Sequence, residues 1–184
     1  MKHLLDLLKS SASELKSTLT IAISAMLLAL SLALRSLAIP VTSFLRITFS
    51  FLTNAVCGML YGPVVAGLVA GSADIIAFFL FPKGGGGYFP GFTLNAILGG
   101  VIYGLFFYRQ KISIPRIVMA KLTVSLIVNL ILGTYWNSIL YGDVFFSILP
   151  LRALKECIKV PVDVVLIWLV LKAVVKVRQP RLSK

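Results

Sequence analysis

Residues 46–108 read RITFSFLTNAVCGMLYGPVVAGLVAGSADIIAFFLFPKGGGGYFPGFTLNAILGGVIYGLFFY, and this stretch decides the fold. It holds three apolar runs, 47–61, 63–81 and 91–108. Gly62-Pro63 divides the first two, and Pro82 followed by Gly84 to Gly87 divides the second from the third. A bilayer core of about 30 Å takes roughly 20 apolar residues per helix, so runs of this length predict transmembrane segments. In lipid they must be helical, because an unpaired backbone group there costs several kcal/mol.

Outward from this stretch the pattern continues. Further apolar runs lie at 17–38, 116–139 and 150–176; Pro40 closes the first, Pro115 opens the second and Pro150 opens the third. The chain has 184 residues, 59% hydrophobic and 13% charged, more apolar and less charged than soluble domains. The expectation is an all-α membrane protein, a single bundle of six transmembrane helices. One membrane domain fills 1–184: a cytoplasmic N-terminal segment at 1–16, the bundle at 17–176 and a basic tail at 177–184.

The net charge of +12 is unevenly placed. Lys2, Lys9 and Lys16 precede the first run, and Arg109, Lys111 and Arg116 fill the loop after the fourth. Lys172, Lys176, Arg178, Arg181 and Lys184 crowd the tail. The positive-inside rule therefore predicts both termini in the cytoplasm, with 39–46, 82–90 and 138–150 extracellular. Such placement suits anchoring against anionic lipid rather than nucleic-acid binding, for which no basic stripe with interleaved aromatics exists. MKHLLDLLKSSASELK (1–16) is too polar for a signal-peptide core and reads as a short amphipathic helix at the inner surface.

Reactive groupings are absent from the pattern. Cys57 and Cys157 form no CxxC, and His3 is the only histidine, so neither metal nor cofactor is expected. Tyr88-Phe89-Pro90 follows the Gly84–Gly87 run where a P-loop needs Lys and Ser or Thr. The six acidic residues are scattered, whereas general acid–base catalysis needs paired groups at one place. The reading is no enzyme.

Two groups of residues stand out. TIAISAMLLALSLALR (20–35) sets Ala25, Ala29 and Ala33 four apart, on one helical face. From spacing alone this smooth strip serves internal packing or docking of another helix. Polar residues at membrane depth form the second group, because charge there is costly and faces protein. Asp74, Asn95, Trp136, Arg152 and Lys155 all fall in the outer half of the predicted bundle. Either Asp74 forms a structural ion pair with Arg152 or Lys155, or the group lines an outward-opening pocket. Two cations, a carboxylate and aromatics would suit an anionic aromatic ligand.

The 46–108 stretch, its GGGYFPGFTLNAILGGVIYG (85–104) and the later LPLRALKECIKVPVDVV (149–165) resemble the folate-specific substrate-binding subunits of energy-coupling-factor (ECF) vitamin transporters. The resemblance covers about residues 20–170. It implies capture of folate from outside and delivery inward once docked on a transmembrane coupling subunit and two ATPase subunits, with Ala25, Ala29 and Ala33 as the docking strip. It also implies a folate site drawn from Asp74, Arg152, Lys155, Trp136, Tyr88, Phe92, Asn95, Arg46 and Lys83. Thr53 stands where relatives often carry proline, and Gly133 lies near a position often held by asparagine. Riboflavin or thiamine binding, or a purely structural membrane protein, are the alternatives.

Overall fold

A computed structural model describes residues 2–36, 39–42, 45–47, 49–81, 88–141 and 145–178. Almost all of these are helical. Among the described residues four helices are long and apolar enough to cross a membrane: Thr18–Ser36, Phe51–Leu80, Pro90–Phe107 and Ile114–Leu140. The chain divides into two compact units, Met1–Arg109 and Gln110–Lys184.

The first unit holds α1 (Lys2–Glu14), α2 (Thr18–Ser36), α3 (Phe51–Leu80) and α4 (Pro90–Phe107). Between α2 and α3 lies the one departure from the all-α expectation among the described residues. Strands β1 (Ile39–Thr42) and β2 (Leu45–Ile47) form an antiparallel hairpin that pairs Ile39 with Ile47 and Pro40 with Arg46. Proline pushes the residue before it out of the helical region, and the β-branched Ile39, Val41, Thr42 and Ile47 favour a strand.

The expected break at Gly62-Pro63 takes a particular form. Helix α3 runs through it, but Gly62 has φ 84° and ψ −174°, dividing the helix into arms 51–61 and 63–80. Only glycine adopts that φ without strain. A break in lipid frees backbone groups that need partners. Pro63 has no N–H, and Ser11 of α1 supplies the rest. Its Oγ accepts from the N–H groups of Val64 (3.0 Å) and Val65 (3.4 Å) and donates to the Tyr61 carbonyl (2.7 Å). Ser11 is thus an N-cap borrowed from another helix, and it is fully buried. Nearby, the Tyr108 hydroxyl donates to Glu14 Oε1 (3.3 Å) and lies 3.2 Å from Ser10 Oγ. Within the 1–16 segment Lys2–Glu14 is therefore helical, as expected, and tied to α3 and to Tyr108 at the end of α4.

Ser11→Ala should lower the thermal stability of the detergent-purified protein by about 1–3 kcal/mol, since it orphans buried donors. Ser13, exposed and bonded only to the Ser10 carbonyl, is the control: Ser13→Ala should stay within about 0.5 kcal/mol. Equal melting shifts for the two would remove the capping role.

Packing of α3 on α4 uses small residues, because lipid gives apolar side chains no reason to cluster and close backbone approach supplies the attraction instead. Gly58 faces Gly104, Gly100 faces Ala66, and Gly67 and Gly71 receive Ile97. Gly67 with Gly71 and Gly100 with Gly104, each pair four apart, thus serve internal packing.

The second unit holds α5 (Ile114–Thr123), a π-helical segment (Val124–Leu132), α6 (Gly133–Tyr141) and α7 (Phe145–Arg178). The expected plain α-helix over 116–139 is thus interrupted by wider turns in its middle. Helix α7 starts before the expected opening at Pro150 and carries both Pro150 and Pro161 inside it.

Candidate functional site

In the first unit the polar centre is Asp74, in the second arm of α3. Its Oδ1 accepts from Arg35 Nη1 at 2.7 Å, and its Oδ2 accepts from Thr93 Oγ1 at 3.0 Å. The Tyr88 hydroxyl lies 2.8 Å from that same Thr93 oxygen. Arg35 comes from the last turn of α2 and Thr93 from the first turn of α4, so three helices meet on one carboxylate. The ion pair is half-buried, with side chains 17% and 20% exposed. The ionic partner shown for Asp74 is Arg35, where the sequence pointed to Arg152 or Lys155.

Aromatic rings flank this centre. Tyr88 sits edge-on to Phe78 at 5.3 Å between centroids, and Phe92 edge-on to Phe89 at 5.7 Å. Asn95 is half-buried on α4. Of the expected ligand residues in this unit, Asp74 and Tyr88 are therefore joined through Thr93. Arg46 falls in β2 and its side chain lies outside the described residues, as does all of Lys83.

In the second unit Trp136 packs edge-on against Tyr135 at 5.1 Å, and Asn137 Nδ2 donates to the Gly133 carbonyl at 2.6 Å. Arg152 and Lys155 lie on α7; the side chain of Arg152 is outside the described residues, and Lys155 is half-buried. One residue on, Glu156 Oε2 accepts from Ser125 Oγ (2.6 Å) and Asn129 Nδ2 (3.2 Å), both in the π-helical segment. The two residues are four apart and share one helical face, so both reach the same carboxylate oxygen. Deeper on the same seam, Lys121 Nζ meets Asp163 Oδ2 at 2.5 Å, with Lys159 Nζ at 3.7 Å.

The alanine strip lies open. Ala25, Ala29 and Ala33 are exposed on α2, whereas Thr20, Ser24 and Ser31 on its other side are buried. Exposed Ile21, Met26 and Leu30 border the strip. Alanines flanked by large apolar side chains make a shallow groove into which another helix can settle closely.

Among the described residues no group of histidine, cysteine and acidic side chains could hold a metal ion. Arg35, Thr93 and Ser125 were not among the expected site residues. Arg35 carried a signal, a cation at membrane depth, but nothing in the sequence named its partner.

Known proteins resemble this chain over most of its length. A family model described as "ECF transporter, substrate-specific component" matches residues 19–173. The folate transporter FolT of Clostridium novyi (strain NT) is 41% identical over 127 residues, covering 69% of this chain and 73% of that protein. FolT of Leuconostoc mesenteroides subsp. mesenteroides (strain ATCC 8293) is 30% identical over 129 residues, 67% of this chain and 69% of that one. A crystal structure of FolT bound with folic acid superposes with a TM-score of 0.75 at 38% identity, covering 82% of this chain and 90% of that one.

Proposed function

The chain belongs to the ECF transporter substrate-specific component family, and from that premise we propose that it captures folate at the outer face of the membrane and passes it inward when docked on an ATP-driven ECF module. It is a multi-pass membrane transport subunit, not an enzyme. The observation that carries the folate assignment is its likeness to the folic-acid-bound structure.

The topology in this reading has six membrane crossings in one domain. The two arms of α3 count separately at the Gly62 break, and α7 makes the sixth; of its charges, Asp163 is paired with Lys121 and Lys159. Both termini are cytoplasmic, as the basic loop and tail require.

Asp74 is the receptor for the pterin ring. A carboxylate offers about four lone-pair sites. Arg35 and Thr93 occupy two of them, leaving acceptors for two ring N–H groups. Tyr88, Phe92 and Trp136 flank the rings, and Asn95 adds a polar contact. The glutamate carboxylates meet Arg152 or Lys155, with Arg46 or Lys83 assisting, because cationic side chains make the strongest hydrogen bonds to carboxylate.

Ala25, Ala29 and Ala33 form the docking strip for the transmembrane coupling subunit, and two ATPase subunits supply the energy. The exposure of the strip, on the side of α2 away from its buried serines, supports this. Replacing Ala25 and Ala29 with tryptophan should abolish ATP-driven uptake of labelled folate in vesicles carrying the module. Folic acid binding by the purified variant should be unchanged. Loss of binding instead would mean that the strip packs internally, and unchanged uptake would place docking elsewhere.

A further inference from the structure

We propose that Arg35 makes the site selective for the neutral 4-oxo pterin ring over the 4-amino ring of the corresponding folate analogue. The proposal rests on the reading above, in which Asp74 receives the ring. Its basis is that the carboxylate offered to the ligand is already matched by a fixed positive charge 2.7 Å away.

The two rings differ in what they present to a carboxylate. The 4-oxo ring, as a neutral molecule, carries two adjacent N–H donors, its ring N3–H and its 2-amino group. It can fill the two remaining acceptor sites of Asp74 and bring no charge. The neutral 4-amino ring has an unprotonated nitrogen between its two amino groups, and that lone pair would face the carboxylate. To offer adjacent donors the 4-amino ring takes a proton from solvent onto N1, beside the 2-amino group, and arrives as a cation.

A lone buried carboxylate welcomes such a cation, because the complex is then a neutral ion pair. Asp74 is not alone. Arg35 and Asp74 together are neutral, so a protonated ring leaves one uncompensated positive charge in a half-buried, lipid-flanked setting, where unpaired charge is expensive. Thr93 and Tyr88, the other groups bonded around the carboxylate among the described residues, bring no charge to offset it. The neutral pterin meets no such penalty. Arg35 therefore acts as a specificity-determining residue through Asp74, without needing to touch the ligand.

The test compares the dissociation constants of folic acid and its 4-amino analogue for the detergent-purified full chain and for two variants. The wild type should favour folic acid. Arg35→Gln frees the Asp74 charge and should move the ratio toward the 4-amino analogue by about tenfold or more. Arg35→Lys keeps the positive charge, and its ratio should stay within about threefold of wild type even if both affinities fall. A purely structural role for Arg35 would weaken both ligands in parallel and leave the ratio unmoved, which overturns the proposal. So does a wild type that binds the 4-amino analogue as tightly as folic acid, a comparison that needs no variant to fold. Absence of folic acid binding by the wild type would instead remove the folate reading itself.

Discussion

Gly104→Val is expected to eliminate folded protein, the largest effect of any single substitution in the first unit. A side-chain carbon at this position would overlap the Cα of Pro63 and fall 2.5 Å from its nitrogen and 2.8 Å from the carbonyl carbon of Gly62. These are backbone atoms at the break in α3, so no rotamer change can relieve the clash. Relief requires α4 to leave α3, which strips the Gly58 and Gly100 contacts as well. Overpacking a core with side-chain neighbours costs about 1–3 kcal/mol; with backbone as the neighbour, the loss should exceed that range. The readout is the monodisperse fraction on size exclusion after extraction. Gly99, with nothing within 4 Å of its added carbon, supplies the contrast. Gly99→Ala should be tolerated and gain up to about 1 kcal/mol from helix propensity. Similar yields for the two variants would contradict the packing described.

The second large effect concerns the buried ion pair of the second unit, and its size depends on which partner is removed. Lys121 is 1% exposed and Asp163 2%. Asp163→Ala removes the carboxylate that Lys121 and Lys159 share at 2.5 and 3.7 Å and leaves the two like charges facing each other. Breaking a buried pair in this way costs about 3–5 kcal/mol. Lys121→Met is milder, because Lys159 remains to neutralise Asp163. Substituting both, Lys121→Met with Asp163→Leu, should recover most of the stability lost in Asp163→Ala, since apolar replacement of a whole buried pair is often neutral. Melting temperatures in detergent test the order. A Lys121→Met protein less stable than Asp163→Ala would show that Lys159 does not share the charge.

Much of the fold was legible in the sequence because its signals are local. Apolar run length located the four helices long enough to cross a membrane, and Pro40, Gly62-Pro63 and Pro115 marked ends or breaks that the structure keeps. What escaped were features that need a second segment. Nothing near Ser11 indicates that its hydroxyl completes a helix break some fifty residues away. Asp74 looked toward α7 because charges there were conspicuous, whereas its partner is the arginine at the end of α2. The π-helical turns over Val124–Leu132 left no period in the sequence, and neither did the bonds from Ser125 and Asn129 to Glu156 on another helix. Pro150 was read as a helix start, but helix continues on both sides of it.

The site was legible unevenly for the same reason. Asp74 could be singled out alone, as a carboxylate where lipid forbids idle charge. Arg35 and Thr93 gain meaning only once three helices converge on that carboxylate. The alanine strip showed its face from spacing, and only its exposure in the folded chain tells against internal packing.

The most direct test of the central claim is equilibrium binding of folic acid, riboflavin and thiamine to the purified full chain. Folic acid should bind with a dissociation constant in the nanomolar range, about −12 kcal/mol, and riboflavin and thiamine should not bind. No folic acid binding below about 10 μM, or tighter binding of either other vitamin, would contradict the account.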